Sequence, residues 1–332
     1  MWLYLSTVKC NLRERIAGKV LVTIQSPVLL ALVTSIAAIS QNEPRFRSNV
    51  EIVVVPSTVV DRDGNAVGNL TRDEFHVYDN DVRRPIESFW IDSELPLTLG
   101  VIIDASDSQK KNLLEHRRTA IELQERILRP GDHAFVIHVD EDVRLWADLS
   151  GSKQKIREAL AGDTPGALFG EPCGKQPNKL GPTKAISACG SSPLWDSIFD
   201  ATQFKKGVLT GSKALLILTD GFDSGSRHSW RQAADAANAA DYSLYAIQYA
   251  SESGWRFVPD LHRLAEDTGG ALFRARDDKS EIISRIETDL RRRYILGFRP
   301  ERVSGKTRHE IRVEVTRPGF SVRTRKSYLQ ER

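Results

Sequence analysis

The sequence has little of what usually identifies an enzyme. It contains three cysteines in 332 residues, and the spacing of Cys173 and Cys189, with no histidine pair nearby, is a poor zinc pattern. No G-x-S-x-G segment is present. Residues 207–213 lack the spacing of a phosphate-binding loop and precede a predicted strand instead of following one. These absences argue against a zinc enzyme, a serine hydrolase of the elbow type and a P-loop nucleotide-binding protein.

Net charge is also small. The chain carries a formal net charge of +3, from 47 basic and 44 acidic side chains. The first 40 residues account for that excess, because they hold four basic residues and one acidic residue: Lys9, Arg13, Arg15 and Lys19 against Glu14. The remainder is close to neutral, so charge does not favour a nucleic-acid partner. We expect the basic run at 291–293 to be the solvated end of a helix.

The first 40 residues have the layout of an export signal. Basic residues up to Lys19 precede an apolar stretch at 20–39, which small residues close. This layout predicts a signal peptide cleaved after Ser40 or, alternatively, an uncleaved membrane anchor, since about 20 residues just span a bilayer. The expected location is periplasmic, cell-surface or secreted. In an exported chain Cys173 and Cys189 would form a disulfide, whereas in a cytosolic chain they would be thiols.

The rest of the chain is typical of a folded protein. With 40% apolar and 27% charged residues, it can form one large domain or two modest ones. Between residues 96 and 292, apolar runs alternate with amphipathic stretches, which predicts a doubly wound, mostly parallel α/β sheet. Residues 41–95 and 293–332 contain strand-like segments separated by turns. Because each is too small to fold alone, we predict that they pair into one β-sandwich-like module in which the α/β domain is inserted.

One stretch, residues 96–108, organises the α/β region. Its apolar run is typical of a central strand buried on both faces. The run stops at a D-x-S-x-S turn formed by Asp104, Ser106 and Ser108. Open α/β sheets place ligand sites at the carboxyl ends of their strands, and hard cations take oxygen ligands. The turn therefore predicts a metal site, although Asp and Ser are also common turn residues.

Two further segments offer oxygen ligands in the same way. Residues 213–218 form a second apolar run that stops before Asp220, and the loop at 190–196 leads into a predicted helix and supplies Ser192. The three segments, in this order, resemble the von Willebrand factor type A (VWA) domain and its metal-ion-dependent adhesion site (MIDAS). The resemblance covers residues 45–332. More specifically, the sequence resembles the exported bacterial proteins known as VWFA-related.

The resemblance implies a divalent-cation site. The implied ligands, direct or through water, are Asp104, Ser106, Ser108, Ser192 and Asp220. Mg²⁺ is the first expected cation, with Ca²⁺ and Mn²⁺ as alternatives. The sequence departs from the family in having Ser192 where Thr is usual and Gln109 where Met is frequent. Serine keeps the hydroxyl but lacks the methyl that restricts χ1, so the first departure concerns metal affinity, and we expect the second to matter little to the metal.

These residues favour binding over catalysis. Two carboxylates and three hydroxyls leave a divalent cation with an open position, which a carboxylate of a partner protein can complete. We therefore expect an exported, metal-dependent, adhesion-type protein-binding module that is not an enzyme. The alternatives are an envelope scaffold whose metal is structural and a metal-assisted hydrolase, which needs a general base that no spacing reveals. We expect His228 to be exposed, and Trp230 and Trp255 to be candidates for partner contact.

Overall fold

A computed structural model describes residues 52–92, 95–162, 166–169, 192–205, 209, 211–251, 253–301, 305 and 307–330. The predicted signal peptide or anchor at 1–40 lies outside these residues, as do Cys173 and Cys189. Export, cleavage and disulfide pairing therefore stay predictions. Within the described part of the chain, no helix combines the length and apolar character needed to cross a membrane.

The centre of the chain forms a seven-stranded sheet. Its strands are β5 (Leu97–Asp104), β6 (His133–Val139), β7 (Val143–Ser150), β8 (Ala167–Leu168), β9 (Ser212–Thr219), β10 (Tyr242–Gln248) and β11 (Ala271–Arg274). Their spatial order is β11-β10-β9-β5-β6-β7-β8. The strands from β11 to β6 in this order run parallel, while β7 and β8 are antiparallel to their neighbours. β5 is buried along its whole length, as a central strand of a parallel sheet should be.

Helices cover both faces of this sheet. Those described are α1 (Leu113–Ile127), α2 (Lys153–Ala161), α3 (Leu194–Gln203), α4 (Trp230–Ala239), α5 (Pro259–Asp267) and α6 (Lys279–Arg291). Apolar side chains of α1, α2 and α6 pack on one face, and those of α3, α4 and α5 on the other. The second face admits no side chain at Gly100, because a Cβ atom there would lie 2.4 Å from a ring carbon of Phe135. The predicted doubly wound α/β fold is confirmed.

Strands from both ends of the described chain form two further sheets. The strands that precede the α/β region are β1 (Val53–Val60), β2 (Phe75–Asp79), β3 (Val82–Arg84) and β4 (Ile86–Asp92). Those that follow it are β12 (Arg293–Phe298), β13 (Thr307–Val315), β14 (Ser321–Thr324) and β15 (Ser327–Gln330). They make two four-stranded sheets, in the orders β14-β1-β12-β4 and β15-β13-β2-β3. The two sheets share an apolar core that includes Val55, Phe75, Leu296 and Val313. We call these two sheets together the sandwich.

The prediction of a solvated helix end at 291–293 is wrong. Arg291 and Arg293 are only 7% and 3% exposed, and Arg292 alone is exposed. Arg291 forms an ion pair with the buried Asp132, and Arg293 donates a hydrogen bond to the carbonyl of Asp289, at 3.1 Å. The reason is topological: β12 begins directly after α6, so the end of the helix is enclosed where the chain passes from the α/β region into the sandwich.

Candidate metal centre

The D-x-S-x-S turn begins where β5 leaves the sheet. Asp104, the last residue of β5, is completely buried. One of its carboxylate oxygens accepts a hydrogen bond from the backbone N–H of Ser106, at 3.0 Å. The other accepts one from the hydroxyl of Thr219, the last residue of the neighbouring β9, at 2.5 Å. The turn and the adjacent strand together fix the orientation of this carboxylate.

Asp220 lies directly after β9 and joins the same cluster. Its Oδ2 accepts a hydrogen bond from the Ser108 hydroxyl, at 2.8 Å. The hydroxyl oxygens of Ser106 and Ser108 are 3.1 Å apart. A short 3-10 turn at Asp107–Gln109 carries Ser108 towards Asp220. The structure therefore brings four of the five predicted ligands into one hydrogen-bonded group at the carboxyl edge of the sheet.

The fifth predicted ligand, Ser192, is attached to this edge by its backbone. It lies just before α3 and pairs with Ser224: the N–H of Ser224 donates to the Ser192 carbonyl at 2.8 Å, and the reverse bond is 3.4 Å. The side chain is only 4% exposed, and its hydroxyl has no hydrogen-bond partner among the described residues. An unpaired buried hydroxyl costs about 1–3 kcal/mol. This oxygen is therefore available to a ligand.

The electrostatics of the cluster suit an added positive charge. Burial raises the pKa of Asp104 to about 6, against the effect of hydrogen bonds from Ser106 and Thr219, and the charge of Asp220 adds to the rise. His116 approaches the Asp104 carbonyl, with Nδ1 3.0 Å from the oxygen. Burial lowers the pKa of His116 to about 4, so this ring is neutral near pH 7 and supplies no compensating charge.

The candidate ligands also fit a hard cation chemically. All of them are oxygens, two from carboxylates and three from hydroxyls, which is the ligand type that Mg²⁺ and Ca²⁺ prefer. Among the described residues, no group of three or more His, Cys, Asp and Glu side chains is arranged to hold a metal ion. The candidate centre is of a different kind, because its hydroxyls are essential to the ligand count.

Two residues of the cluster were not assigned a role from the sequence. Thr219 orients Asp104 and also accepts a hydrogen bond from the N–H of Gly221, at 2.9 Å. Gln109 is completely buried, and its side-chain amide donates to Asp220 Oδ2 at 2.8 Å. Thr219 immediately precedes the predicted ligand Asp220, and this position in the sequence could have identified it as a residue of the cluster. The direction of the Gln109 amide depends on the three-dimensional turn, which spacing alone does not reveal.

His228 is less exposed than the sequence predicted. Its Nδ1 lies 2.6 Å from the carboxylate of Asp196 in α3, and its side chain is 24% exposed. The ring also stacks on Phe199, with ring centroids 3.8 Å apart. The exposed-histidine prediction is wrong because a carboxylate and an aromatic ring, both from the neighbouring helix, hold the imidazole.

Comparison with known proteins gives structural neighbours only. No protein-family model matches the sequence, and no curated protein matches it. BatB from Bacteroides thetaiotaomicron has 15% identity and a TM-score of 0.42, over 58% of this chain and 98% of its own. A von Willebrand factor type A protein from Catenulispora acidiphila has 11% identity and a TM-score of 0.42, over 86% of this chain and 74% of its own.

A third neighbour is proximal thread matrix protein 1 from the mussel byssus, in a structure whose MIDAS motif is occupied by zinc. It has 16% identity and a TM-score of 0.46, over 65% of this chain and 50% of that one. All three TM-scores are below 0.5, so these likenesses carry no argument. The functional argument rests on the geometry of the cluster.

Proposed function

We propose that this chain is an exported, metal-dependent protein-binding module of the adhesion type. Its cation is held by Asp104, Ser106, Ser108, Ser192 and Asp220. Mg²⁺ is the expected ion, with Ca²⁺ and Mn²⁺ as alternatives. The observation that supports the proposal is the hydrogen-bonded group of two carboxylates and two hydroxyls at the carboxyl edge of the sheet. Ser192, whose backbone pairs with Ser224 after β9, adds a buried hydroxyl that has no partner among the described residues.

The incomplete coordination that this ligand set provides explains why a partner would bind. Two carboxylates neutralise a divalent cation formally, but three neutral hydroxyls leave its coordination incomplete. Ser108 is partly exposed, whereas the other four predicted ligands are buried. Solvent therefore reaches the cluster from the side of Ser108. A carboxylate of a partner protein entering there completes the coordination, which makes binding dependent on the metal. No step of this function requires a chemical reaction.

A second candidate function is an envelope scaffold whose metal only stabilises the fold. One observation favours it: four of the predicted ligands are nearly inaccessible. Asp104 is 0% exposed, Asp220 1%, and both Ser106 and Ser192 4%. In this scaffold function a cation is bound as before, but no outside carboxylate reaches it.

Thermal unfolding of the full, metal-stripped chain tests metal binding. A cation that binds only the native state stabilises it by about 2.7 kcal/mol at a hundredfold excess over its dissociation constant. We expect Mg²⁺ to raise the unfolding temperature of the wild type, and Asp104→Ala to abolish the shift. Asp107→Ala is the matched control, because its carboxylate lies in the same turn but is 81% exposed and pairs with Lys110. A shift of equal size in Asp104→Ala would contradict the proposed site.

Peptide binding then separates the two candidate functions. The probe is a dansyl-labelled, C-terminally amidated Gly-Gly-Asp-Gly-Gly peptide, with Gly-Gly-Asn-Gly-Gly as its control, followed by fluorescence anisotropy. For a protein-binding module we expect the aspartate peptide to bind in Mg²⁺ and not in EDTA, and not to bind Asp104→Ala. A metal-dependent thermal shift without peptide binding would support the scaffold function instead.

A further inference from the structure

The edge that carries the candidate metal centre continues into a surface that we call the arginine strip. It consists of Arg256, Arg274 and Arg276, together with the rings of Phe222 and Trp255. The Arg256 guanidinium lies 5.4 Å from the centroid of the Phe222 ring. Arg274 and Arg276 both lie over Trp255, at 5.6 and 5.1 Å. The three cations are therefore held by aromatic faces at geometries suited to cation–π attraction.

Topology places the strip beside the metal centre. Phe222 follows β9, Trp255 and Arg256 follow β10, and Arg274 ends β11. Because these strands are parallel and adjacent, their following loops meet at the edge where β5 ends. A direct link also exists: the Gln248 side-chain amide donates to the carbonyl of Asp220 at 3.0 Å and to that of Arg256 at 2.8 Å.

The loop after β10 is fastened to the other side of the cluster as well. The Asn112 side chain donates to the Ala250 carbonyl at 2.8 Å, and the amide of Gln109, which contacts Asp220, lies 3.4 Å from the same carbonyl. The strip and the candidate ligands are therefore parts of one connected surface. A peptide segment bound at the metal would therefore reach the arginines by extending along this edge.

The charges of the strip are available to a ligand. Arg256, Arg274 and Arg276 are all exposed. Among the described residues, none of the three guanidinium groups forms an ion pair, whereas other exposed arginines, such as Arg126 and Arg308, do. A guanidinium over a ring face is restrained by the cation–π contact and keeps N–H groups for bidentate binding of a carboxylate.

We infer that the arginine strip binds additional carboxylates of the same partner segment whose first carboxylate completes the metal centre. This inference rests on the proposed function and specifies its partner as an acidic protein segment. Strands lie about 4.8 Å apart, so β11 is about 10 Å from β9. An extended peptide advances about 3.3 Å per residue. The further acidic residues therefore lie about three residues from the one at the metal.

The strip suits an acidic protein segment better than a nucleic acid. A nucleic acid presents a phosphate about every 3.4 Å along each strand, and this edge also carries the exposed carboxylates of Asp107 and Asp277. Such a surface accommodates a few spaced carboxylates between its own negative charges. It is poorly matched to an uninterrupted row of phosphates.

Two labelled peptides test the inference on the full chain in Mg²⁺. The first is Gly-Gly-Asp-Gly-Gly-Gly-Gly-Gly, with one acid, and the second is Gly-Gly-Asp-Gly-Glu-Glu-Glu-Gly, with three more. We expect the second to bind about tenfold more tightly, since exposed ion pairs contribute up to about 1 kcal/mol each. The double variant Arg274→Ala/Arg276→Ala should lose this difference while keeping its affinity for the first peptide and its thermal shift with Mg²⁺.

Two further variants sharpen the test. Arg274→Lys/Arg276→Lys keeps the charge but loses the planar, stacked guanidinium, so it should recover only part of the difference. Arg62→Ala/Arg83→Ala is the matched control, because it removes two exposed arginines outside the α/β region and should change neither peptide affinity. Equal losses in Arg62→Ala/Arg83→Ala and in Arg274→Ala/Arg276→Ala would overturn the inference by showing an effect of net charge alone.

The outcomes distinguish failure of the inference from failure of the proposed function. Binding of the second peptide that depends on the arginines but not on Mg²⁺ or Asp104 would overturn the proposed function and support the strip. Metal-dependent binding of both peptides with equal affinity would support the proposed function and overturn the strip. Tighter arginine-dependent binding of an oligothymidylate than of the acidic peptide would also overturn the inference, in favour of a nucleic acid.

Discussion

Two buried serines at the start of α3 differ in what their hydroxyls contact. The Ser197 hydroxyl donates to the carbonyl of Leu194 at 2.7 Å. The Ser192 hydroxyl is buried without a partner in the described part of the chain. A fold normally pairs its buried polar atoms, and an exception calls for a reason such as an ion or a functional role. For Ser192 that reason is the cation of the proposed function.

Relative to the wild type, the Ser192→Ala variant should be more stable without metal and less stable with metal. In EDTA we expect the free energy of unfolding to rise by about 1 kcal/mol, because an unpaired buried hydroxyl is removed. In saturating Mg²⁺ we expect it to fall below the wild-type value, because a ligand is lost. Urea unfolding in both buffers measures the two differences. Ser197→Ala, whose hydroxyl is paired, should lower stability in both, and the same pattern in Ser192→Ala would contradict its role as a ligand.

His138, which lies on β6 opposite Ile103, provides a pH prediction for a residue outside the candidate ligand set. The residue is 7% exposed, neither ring nitrogen has a hydrogen-bond partner among the described residues, and the ring stacks on Trp146 at 4.1 Å. Burial lowers the pKa of His138 to about 4; the charge of Asp140 acts in the opposite direction, and those of Arg117 and Arg144 add to the lowering. As the pH decreases, His138 is therefore protonated in the unfolded chain before it is protonated in the folded protein. The free energy of unfolding consequently falls as pH decreases from about 6.5 towards 4.

Lowering the pH from 7.5 to 5 should therefore reduce the free energy of unfolding by about 2 kcal/mol through His138 alone. The His138→Gln variant should lose correspondingly less stability over the same interval, because its side chain does not titrate. Urea unfolding at the two pH values gives the difference, and His262→Gln on α5, a more exposed histidine, is the matched control. If His138→Gln and the wild type lost equal stability, the buried neutral state of His138 would be wrong.

Residue spacing predicted part of the candidate centre and not the rest. D-x-S-x-S places Asp104, Ser106 and Ser108 in one turn whatever the surroundings, so local sequence was sufficient there. The amide of Gln109 and the imidazole of His228 contact carboxylates 111 and 32 residues away in sequence. Such contacts depend on how strands and helices are arranged, and a single sequence carries no local signal for them.

At the scale of the elements, apolar runs predicted the strands and helices well. The run at 213–218 lies within β9, and the helix predicted to follow the loop at 190–196 is α3, Leu194–Gln203. β7 continues beyond its apolar start to the polar Ser150, because it still pairs with β6 there. The helix end at 291–293 was predicted incorrectly, since an arginine run resembles a solvated surface until its buried carboxylate partner is known.

That partner, Asp132, connects three elements. Its carboxylate accepts hydrogen bonds from the backbone N–H of Leu97 in β5, at 2.7 Å, and of Arg129, at 2.6 Å. It also pairs with Arg291 of α6, which donates to the carbonyl of Ile127 in α1 at 2.8 Å. The start of the central strand is thereby tied to two helices on the same face. The pair belongs to the scaffold that holds β5, and it lies at the opposite end of that strand from the candidate metal centre.

We expect Arg291→Met to lower the free energy of unfolding by about 3 kcal/mol or more, because it leaves the Asp132 charge buried without its partner. Urea unfolding measures the loss. Arg292→Met, which removes the adjacent exposed arginine, should change stability by no more than about 0.5 kcal/mol. Similar effects of the two substitutions would show that the buried ion pair is not the feature that matters.

At the scale of the whole molecule, the sandwich is joined to the α/β region through a buried arginine. Arg325, between β14 and β15, is 8% exposed. Its guanidinium donates to the carbonyl of Val54 in β1, to that of Asn238 in α4 at 3.0 Å, and to Asp241, just before β10, at 2.7 Å. One side chain thus contacts both parts of the fold, so we expect the sandwich and the α/β region to unfold together.

Hydrogen exchange tests this coupling. In the wild type the slowest amides of β1 and β9 should open with the same free energy, and Mg²⁺ should raise both equally, because a ligand of the folded state stabilises the whole cooperative unit. Arg325→Met should reduce the metal-dependent protection of β1 and leave that of β9 in place. Arg312→Met is the control, since Arg312 is 47% exposed on β13 and lies over Tyr78 within the sandwich. If β1 and β9 remained equally protected in Arg325→Met, the coupling would belong to other contacts between the two parts, such as the 2.7 Å ion pair of Arg323 with Asp289.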